Sequence, residues 1–519
     1  MASAPPSLTY RFLRMVARSA AEVYFFDIQA TGKDRIPDGP LILAANHPNS
    51  LMDTVILAVQ TPRQICYMAR SGLFKKGMIV RAIFKRIGVI PIYRTEDLKG
   101  RTDLNNDAFR KAYETLESDG CIGIFPEGKN SPDRHVQELK TGTARIALAT
   151  EARNDFQLGV KIQPVGLNFE DRDRFLSSVL IRYADPIDVR EFKEVYERDE
   201  REAVHQLTDR LLQELRRAST HIADERNHQL VRDVHRIYGN ELAKEFIGEL
   251  DIDLRPLTHK LFDRARARTG PKPDLDDKFT IEQAIAKAVD HYQKTDPGLV
   301  ARVRMDIRRY RDHLRQVRLR HDLVEKKEHL KGRRRWDALK MTIYALALGP
   351  FAIYGFINNA IPYLLVNQVT RRQPDRTRVA FSGFLSGLVL FPLFYFLQGW
   401  ALWTLTDHSL ITVIFYLISL PITGFFFLRW WRQILAYRDR ILSRTLFRSQ
   451  QNLVFNLENE RQNLIDTFEV LKDRYIDHLI AANSQEEVQI VDRPAAEPAA
   501  EPATEPATES ATEQTAEAP

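Results

Sequence analysis

Three long apolar segments constrain the fold of this chain more than any other feature. They are Met341–Val366, Val379–Thr404 and Leu410–Leu428, and none contains a lysine, arginine, aspartate or glutamate. As helices, the first two are long enough to cross a bilayer, and the third, at about 29 Å, just reaches across it. The segments therefore favour insertion in a membrane, with a buried soluble core as the alternative.

The positions of the basic residues predict how these segments lie. Residues 301–340 hold fifteen Lys or Arg against six Asp or Glu, four arginines lie within 371–378, and six lie within 429–448. The short loop 405–409 has none. Because cytoplasmic loops carry an excess of Lys and Arg, both ends of the first segment are predicted to face the cytoplasm. We therefore expect a re-entrant or broken segment over 341–366, interrupted at Gly349-Pro350 and Pro362, and a hairpin of 379–404 and 410–428.

The net charge of +6 hides an asymmetry between the tail and the rest of the chain. Residues 485–519 contain nine acidic residues and one arginine, so the remainder carries a net charge of +14. A basic body suits an anionic membrane surface or nucleic acid. No nucleic-acid-binding motif is present, so the membrane is the predicted partner and nucleic acid is not. The Glu-Pro-Ala-Thr repeats of 485–519 predict a disordered acidic tail.

The region from 31 to 170 alternates between strand-like and helix-like patterns, which predicts an α/β domain with a mixed sheet flanked by helices. An all-helical region with membrane segments is expected to follow. The strand-like runs are Leu41–Ala45, Gly88–Tyr93, Ile122–Phe125, Ile162–Leu167 and Val179–Tyr183. The sequence predicts six regions in order: an amphipathic helix over 1–30, the α/β domain over 31–188, a charged helical region over 189–340, membrane segments over 341–428, helices over 429–484 and the tail over 485–519. The first helix is expected either to dock on a membrane or to pack on its own domain.

A histidine and an aspartate follow the first strand-like run, in the sequence Asn46-His47-Pro48-Asn49-Ser50-Leu51-Met52-Asp53. A neutral imidazole can take a proton from an alcohol, and a nearby carboxylate can fix its tautomer and stabilise the imidazolium that forms. Three further blocks follow along the chain: Gly88–Arg94, Phe125–Gly128 and Ile162–Gly166.

These four blocks, in this order, resemble the glycerolipid acyltransferases, the family that includes glycerol-3-phosphate and 1-acylglycerol-3-phosphate acyltransferases. The resemblance covers roughly residues 25–185. It implies transfer of a fatty acyl group from acyl-CoA or acyl carrier protein to a glycerol-phosphate acceptor in phospholipid biosynthesis, at the cytoplasmic face of a membrane. The first expectation is 1-acyl-sn-glycerol 3-phosphate, which gives phosphatidate. Glycerol 3-phosphate or dihydroxyacetone phosphate is the alternative acceptor, and a non-catalytic membrane scaffold of the same fold is the alternative of another class.

The resemblance also implies roles for particular residues. His47 is expected to be the general base and Asp53 its partner, although five residues separate them here and four in the family. The residues expected to bind the acceptor are Arg94, Glu127, Gly128, Lys129 and Lys140. Of these, Arg94 and the lysines would contact phosphate, Glu127 a glycerol hydroxyl, and the Gly128 amide an anion. No metal or cofactor is expected besides the donor substrate.

Overall fold

The computed structural model describes residues 7–75, 78–93, 103–130, 134–249, 275–316, 334–375, 378–406, 409–449 and 451–491. Within them, one sheet has the strand order β1-β7-β6-β2-β5-β3-β4, and β8 pairs with β6. The strands are β1 Asp27–Thr31, β2 Leu41–Ala45, β3 Ile65–Arg70, β4 Ile90–Ile92, β5 Cys121–Ile124, β6 Lys161–Phe169, β7 Ser178–Tyr183 and β8 Ile187–Asp188. The predicted α/β domain with a mixed sheet is confirmed.

Strand β2 lies at the centre of the sheet and pairs in parallel with both β5 and β6. Every residue of β2 is buried, as is typical of a strand covered on both faces. Strands β7 and β8 pair with β6 in the antiparallel direction, which makes the sheet mixed. Because the carboxyl ends of parallel neighbours meet at one edge of a sheet, the segments that follow β2, β5 and β6 come together there.

Helices cover both faces of this sheet. Ile42 and Ala44 of β2 pack in one core with α4, α5 and α7, and the alternate residues Leu41 and Leu43 pack in a second core with α1 and α2. This alternation follows from the pleat of a strand, which points successive side chains to opposite faces. The helices are α1 Leu8–Tyr24, α2 Leu51–Gln60, α3 Met78–Arg86, α4 Asp103–Glu117, α5 Gly142–Arg153, α6 Lys193–Arg198 and α7 Glu200–Ala218.

The sequence pattern does not predict strands β1, β3 and β8. The amphipathic helix predicted for 1–30 ends at Tyr24, and β1 occupies Asp27–Thr31. β1 lies at an edge of the sheet and all five of its residues are only partly buried, so it lacks the apolar run that marks a buried strand. Whether α1 docks on a membrane stays a prediction, although its Leu8, Phe12 and Met15 side chains are exposed.

A helical region follows the sheet domain, as the charged pattern of 189–340 predicts. Its longer helices are α8 His228–Glu249, α9 Leu275–Thr295 and α10 Pro297–Gln316. Ion pairs fasten α9 to the sheet domain: Arg182 of β7 lies 2.7 Å from Asp276, and Arg134 pairs with the buried Glu282. These contacts hold α8 and α9 against the sheet, since α8 packs on α9.

Within the described residues, three further helices are long and apolar enough to cross a membrane, by length and composition. They are α11 Arg334–Arg371, α12 Val379–Leu405 and α13 Leu410–Ser449. Few residues of their apolar parts are buried inside the protein, and large side chains such as Leu346, Phe396 and Phe415 are exposed. An apolar helix with its side chains exposed suits lipid and not a soluble core, so the prediction of membrane helices is confirmed.

The sheet domain packs directly on the start of α12. Ala380 and Phe384 are buried in the same core as Tyr24 of α1, whose ring centroid lies 6.4 Å from that of Phe384. Gly383 lies beside Tyr24, where an added Cβ would be 3.6 Å from the ring. The sheet domain is therefore held next to one end of a membrane helix.

Helix α11 runs without a break through Pro350 and Pro362, so the broken form expected for 341–366 is not what the structure has. Proline lacks the N–H that would bond to the carbonyl four residues earlier, which for Pro362 belongs to Asn358. The Gln398 side chain of α12 donates to that carbonyl oxygen at 2.9 Å. A neighbouring helix thus satisfies the freed backbone group, a known way for membrane helices to keep proline. The re-entrant placement itself stays a prediction.

The last helix, α14, spans Gln451–Val491 and enters the segment predicted to be a disordered tail. The predicted boundary at 485 is therefore too early. Residues 485–491 contain no proline or glycine, and the first helix-breaking residue is Pro494. The rest of the predicted tail, 492–519, lies outside the described residues. Of the described residues, those from Asp466 to Val491 belong to a second compact unit.

Candidate active site

His47 and Asp53 lie at the carboxyl end of β2, where the sheet edge gathers the following segments. Asp53 is in the first turn of α2 and is fully buried, and the His47 side chain is 19% exposed. His47 Nδ1 lies 2.9 Å from Asp53 Oδ2. With Nδ1 held by the carboxylate, Nε2 is the nitrogen that can take a proton from an alcohol.

A tight turn accommodates the extra residue between His47 and Asp53. The Met52 amide donates to the Asn49 carbonyl at 3.1 Å, and Ser50 has φ 51° and ψ −131°, close to the first central position of a type II′ turn. The Asn49 amide also donates to Asp53 Oδ2 at 2.7 Å. The loop therefore folds back on the aspartate and brings the carboxylate within reach of the imidazole.

Burial raises the pKa of the Asp53 carboxyl, and several contacts oppose this rise. The largest opposing effects come from His47, followed by the Asn49 amide and the positive charge of Arg172. A carboxylate that is desolvated and still hydrogen-bonded is a strong acceptor for the imidazole N–H. This arrangement suits a residue that orients a histidine and stabilises its protonated form.

An aromatic ring stacks on the His47 imidazole and so helps to fix its orientation. Phe125, which directly follows β5, stacks on it with ring centroids 4.1 Å apart and an interplanar angle of 16°. The Tyr67 ring of β3 is almost parallel to Phe125, with centroids 6.4 Å apart. Sequence reasoning assigned no role to Phe125. The sequence does hold one clue to its role, which is its position. Phe125 directly follows β5, the strand that pairs in parallel with β2, and His47 lies just after β2.

Glu127 connects the histidine loop to the segment that precedes α5. Its Oε1 accepts a hydrogen bond from the His47 amide at 3.0 Å, and its Oε2 accepts one from the Gln137 amide at 3.3 Å. The residue is 3% exposed, and burial raises the pKa of its carboxyl against these two bonds. The expected contact with a glycerol hydroxyl competes with two bonds already made, so the geometry favours a positioning role for Glu127.

A cavity of about 560 Å³ lies beside His47 and Glu127. This size falls in the range of small-molecule sites. Its charged lining comes from the segment after β6, from α8 and from the segment before α5. The arginines are Arg134, Arg172, Arg174, Arg232 and Arg236, and the acids are Glu127, Glu170, Asp171 and Asp173. His47, the candidate base, therefore lies in a cavity that five arginine side chains also line.

The other predicted acceptor-binding residues are Arg94, Gly128, Lys129 and Lys140. Among those that the structure describes, Gly128, Lys129 and Lys140 do not line this cavity. The Gly128 amide donates to the Phe125 carbonyl at 3.1 Å, and a Cβ at Gly128 would lie 3.5 Å from the Lys140 side chain. Gly128 has a φ of 69°, in the left-handed region that favours glycine. Arg94 lies outside the described residues, and the roles of all four stay predictions.

His135 lies in the cavity wall, and His221 packs behind it. His135 lines the cavity, and its ring centroid is 4.7 Å from that of His221. His221 Nδ1 accepts a hydrogen bond from the Val136 amide at 3.1 Å, which requires that nitrogen to be unprotonated. Burial lowers the pKa of His221 to about 4, with smaller contributions from His135 and Arg216. Within the described residues, no group of three or more His, Cys, Asp or Glu is arranged to hold a metal ion.

The low pKa of His221 predicts that the protein loses stability in mild acid. Between an ordinary pKa of 6.5 and a folded value of about 4, the unfolded chain binds more protons than the folded protein. Stability therefore falls as the pH drops through that window. Melting temperatures between pH 7 and pH 4 measure the effect, and His221→Asn, whose amide oxygen can accept the Val136 bond, should show a smaller fall. An equal fall in both proteins would contradict the assignment.

Comparisons with known proteins agree with this geometry. A family model described as "Acyltransferase" matches residues 27–168. Glycerol-3-phosphate O-acyltransferase 1 of Saccharomyces cerevisiae is 26% identical over 191 residues, which cover 36% of this chain and 24% of the yeast protein. Glycerol-3-phosphate O-acyltransferase 2 of the same yeast is 29% identical over 135 residues, 26% of this chain and 18% of that protein.

Among solved structures, the 1-acyl-sn-glycerophosphate acyltransferase PlsC of Thermotoga maritima is 24% identical and has a TM-score of 0.30. The match covers 40% of this chain and 79% of the bacterial one. The chain spans about a quarter or less of the length of the two yeast relatives. Residues 27–168, which the family model matches, contain β2, the His47–Asp53 pair and the turn at Glu127. The acyltransferase family model thus matches the part of the sheet domain that carries the candidate site.

Proposed function

We propose that this protein is a membrane-bound O-acyltransferase that moves a fatty acyl group from a thioester to a hydroxyl of a glycerol-phosphate acceptor. The contact between His47 and the buried Asp53, beside an arginine-rich cavity, carries the proposal. The reaction requires a base next to the acceptor hydroxyl and a cationic surface for its phosphate. The match to the acyltransferase family and the three apolar helices support it.

The reaction would proceed by direct attack of the acceptor on the thioester. His47 Nε2 takes the hydroxyl proton while the acceptor oxygen bonds to the thioester carbonyl carbon, and Asp53 stabilises the imidazolium. When the tetrahedral intermediate collapses, the carbon–sulfur bond breaks and the imidazolium returns the proton to the leaving thiolate. The products are an ester and the free thiol of coenzyme A or of acyl carrier protein. No covalent intermediate on the protein is required.

The acceptor has two main candidates. The sequence pattern ranks 1-acyl-sn-glycerol 3-phosphate first, and the printed names of the two yeast relatives favour glycerol 3-phosphate. We therefore propose glycerol 3-phosphate as the first acceptor to test, with 1-acylglycerol 3-phosphate second and dihydroxyacetone phosphate third. All three carry a free hydroxyl and a phosphate monoester on one three-carbon unit, and His47 and the arginines of the cavity suit that shared chemistry.

An acceptor panel tests this function. The purified full chain in lipid nanodiscs is given radiolabelled acyl-CoA, or acyl carrier protein with the same acyl group, together with each acceptor. We expect a labelled ester that requires one of the glycerol phosphates. Release of free fatty acid at the same rate without any acceptor would indicate a hydrolase. Lack of donor consumption with every acceptor would favour the scaffold alternative.

We also propose that the acyltransferase domain faces the cytoplasm. The basic segments 301–340 and 429–448 flank the apolar helices, and a basic flank favours the cytoplasmic side. The packing of Ala380 and Phe384 against Tyr24 puts the domain at the start of α12. Protease treatment of sealed inverted vesicles should cleave this domain, and protection there with cleavage in right-side-out vesicles would reverse the orientation.

A further inference from the structure

We propose that Arg232 and Arg236 of α8 bind the phosphate of the acceptor. This inference rests on the proposed function and names a binding site that lies outside the matched acyltransferase region 27–168. Both residues line the cavity that contains His47. The sequence pattern assigned the phosphate to Arg94 and to lysines of the acyltransferase domain, and the two lysines do not reach this cavity.

The spacing of the two arginines suits a doubly charged anion. They are four residues apart on α8, so they lie one turn apart on the same face of the helix. Two like charges at this spacing repel each other. A phosphate monoester carries a charge of about −1.5 to −2 near neutral pH and accepts several hydrogen bonds, so it can relieve the repulsion and occupy both guanidinium groups.

Two other arginines of the cavity, Arg134 and Arg172, already have partners. Arg134 pairs with Glu282 and donates to the carbonyl oxygens of Phe169 and Glu170. Arg172 lies 3.3 Å from Asp173. Arg232 donates to the neutral side chain of Gln229 at 3.4 Å. In the described part of the chain, neither Arg232 nor Arg236 makes an ion pair with a carboxylate within 4.0 Å, and both side chains are exposed.

The balance of charge along the wall also favours α8. The segment 170–174 has the sequence Glu-Asp-Arg-Asp-Arg, so its acids outnumber its arginines. Phosphate placed against that segment would meet the carboxylates of Glu170 and Asp171. On α8, the nearby acid Asp233 is buried and pairs with Arg311 at 3.1 Å, away from the cavity lining. The α8 side therefore carries the uncompensated positive charge.

This placement explains how the helical region could take part in the reaction. Glu282 and Asp276 of α9 fasten that region to the sheet domain, and α8 packs on α9. The acyltransferase domain thus supplies the base, while a helix more than 180 residues further along the chain supplies the anion site. The donor also carries phosphates, but the acceptor hydroxyl must reach His47 Nε2, so we assign the site beside His47 to the acceptor.

The double variant Arg232→Gln/Arg236→Gln tests this site in the full chain in nanodiscs. Loss of a hydrogen bond to a charged group costs about tenfold to a hundredfold in affinity, so we expect the KM for the phosphate acceptor to rise at least tenfold. The kcat and the KM for the acyl donor should change less than threefold. Arg201→Gln/Arg210→Gln on α7 removes two exposed arginines that do not line the cavity, and it serves as the control. Arg232→Lys/Arg236→Lys should recover part of the affinity.

The outcomes separate this inference from the proposed function. An unchanged acceptor KM in an otherwise active and folded variant would overturn the inference and leave the function intact. A rise in the donor KM alone would assign the arginines to the donor and also overturn it. Inactivity of the wild-type protein with every acceptor would instead remove the proposed function. Melting curves of all variants show whether a change in KM reflects binding or unfolding.

Discussion

Replacing His47 with alanine should lower kcat by about 10³- to 10⁴-fold. His47 Nε2 is the atom expected to take the acceptor proton, because Nδ1 is held by Asp53 at 2.9 Å. Without that base the acceptor attacks as a neutral alcohol. Acyl transfer from labelled donor, measured at saturating acceptor, gives the effect directly.

Two controls separate chemistry from folding in this experiment. His47→Asn keeps a side-chain donor near the position of Nδ1 and deletes Nε2, so it should preserve the contact with Asp53 and still be inactive. His205→Ala removes an exposed histidine of α7 and should leave the rate unchanged. Wild-type turnover in His47→Asn would show that Nε2 does not act as the base.

Replacing Glu127 with alanine should lower kcat by about 100-fold and leave the acceptor KM within about twofold of wild type. Both carboxylate oxygens of Glu127 accept backbone bonds, from His47 at 3.0 Å and from Gln137 at 3.3 Å. Their loss frees the histidine loop, and a displacement of about 1 Å can cost that much in rate. Unsatisfied amides should also lower stability by about 1–3 kcal/mol.

The separate effects of this substitution on kcat and on the acceptor KM distinguish two roles for Glu127. If the carboxylate binds a glycerol hydroxyl, as the sequence resemblance implies, the acceptor KM should rise at least tenfold and the melting temperature should hold. If it positions His47, kcat and stability fall together. Glu138→Ala is the matched control, because Glu138 is exposed on the same segment and does not line the cavity.

The sequence predicts best where a local pattern determines the structure. The run Leu41–Ala45 was expected to be a strand and has those bounds, because five consecutive buried apolar residues suit the centre of a sheet. The apolar helices were equally clear, because length and lack of charge suffice to identify them. Strand β1 was missed because an edge strand with partly buried residues carries no such pattern.

The cavity wall could not be predicted, because it depends on contacts between distant parts of the chain. In sequence, Arg232 and Arg236 look like any arginine pair on a solvated helix face. Only the fold, which places α8 and the segment after β2 around one cavity, brings them near His47. The hydrogen bond from Gln398 to the Asn358 carbonyl, which Pro362 leaves without its helical partner, depends in the same way on a side chain from another helix.

The most direct test of the account is the acyl transfer rate of Asp53→Asn. This substitution keeps the size of the side chain and removes the charge that orients and stabilises the protonated His47. With labelled acyl-CoA and the preferred glycerol phosphate, we predict a fall in kcat of about 10³- to 10⁴-fold with the acceptor KM little changed. A folded Asp53→Asn protein that transfers the acyl group at the wild-type rate would contradict the central claim.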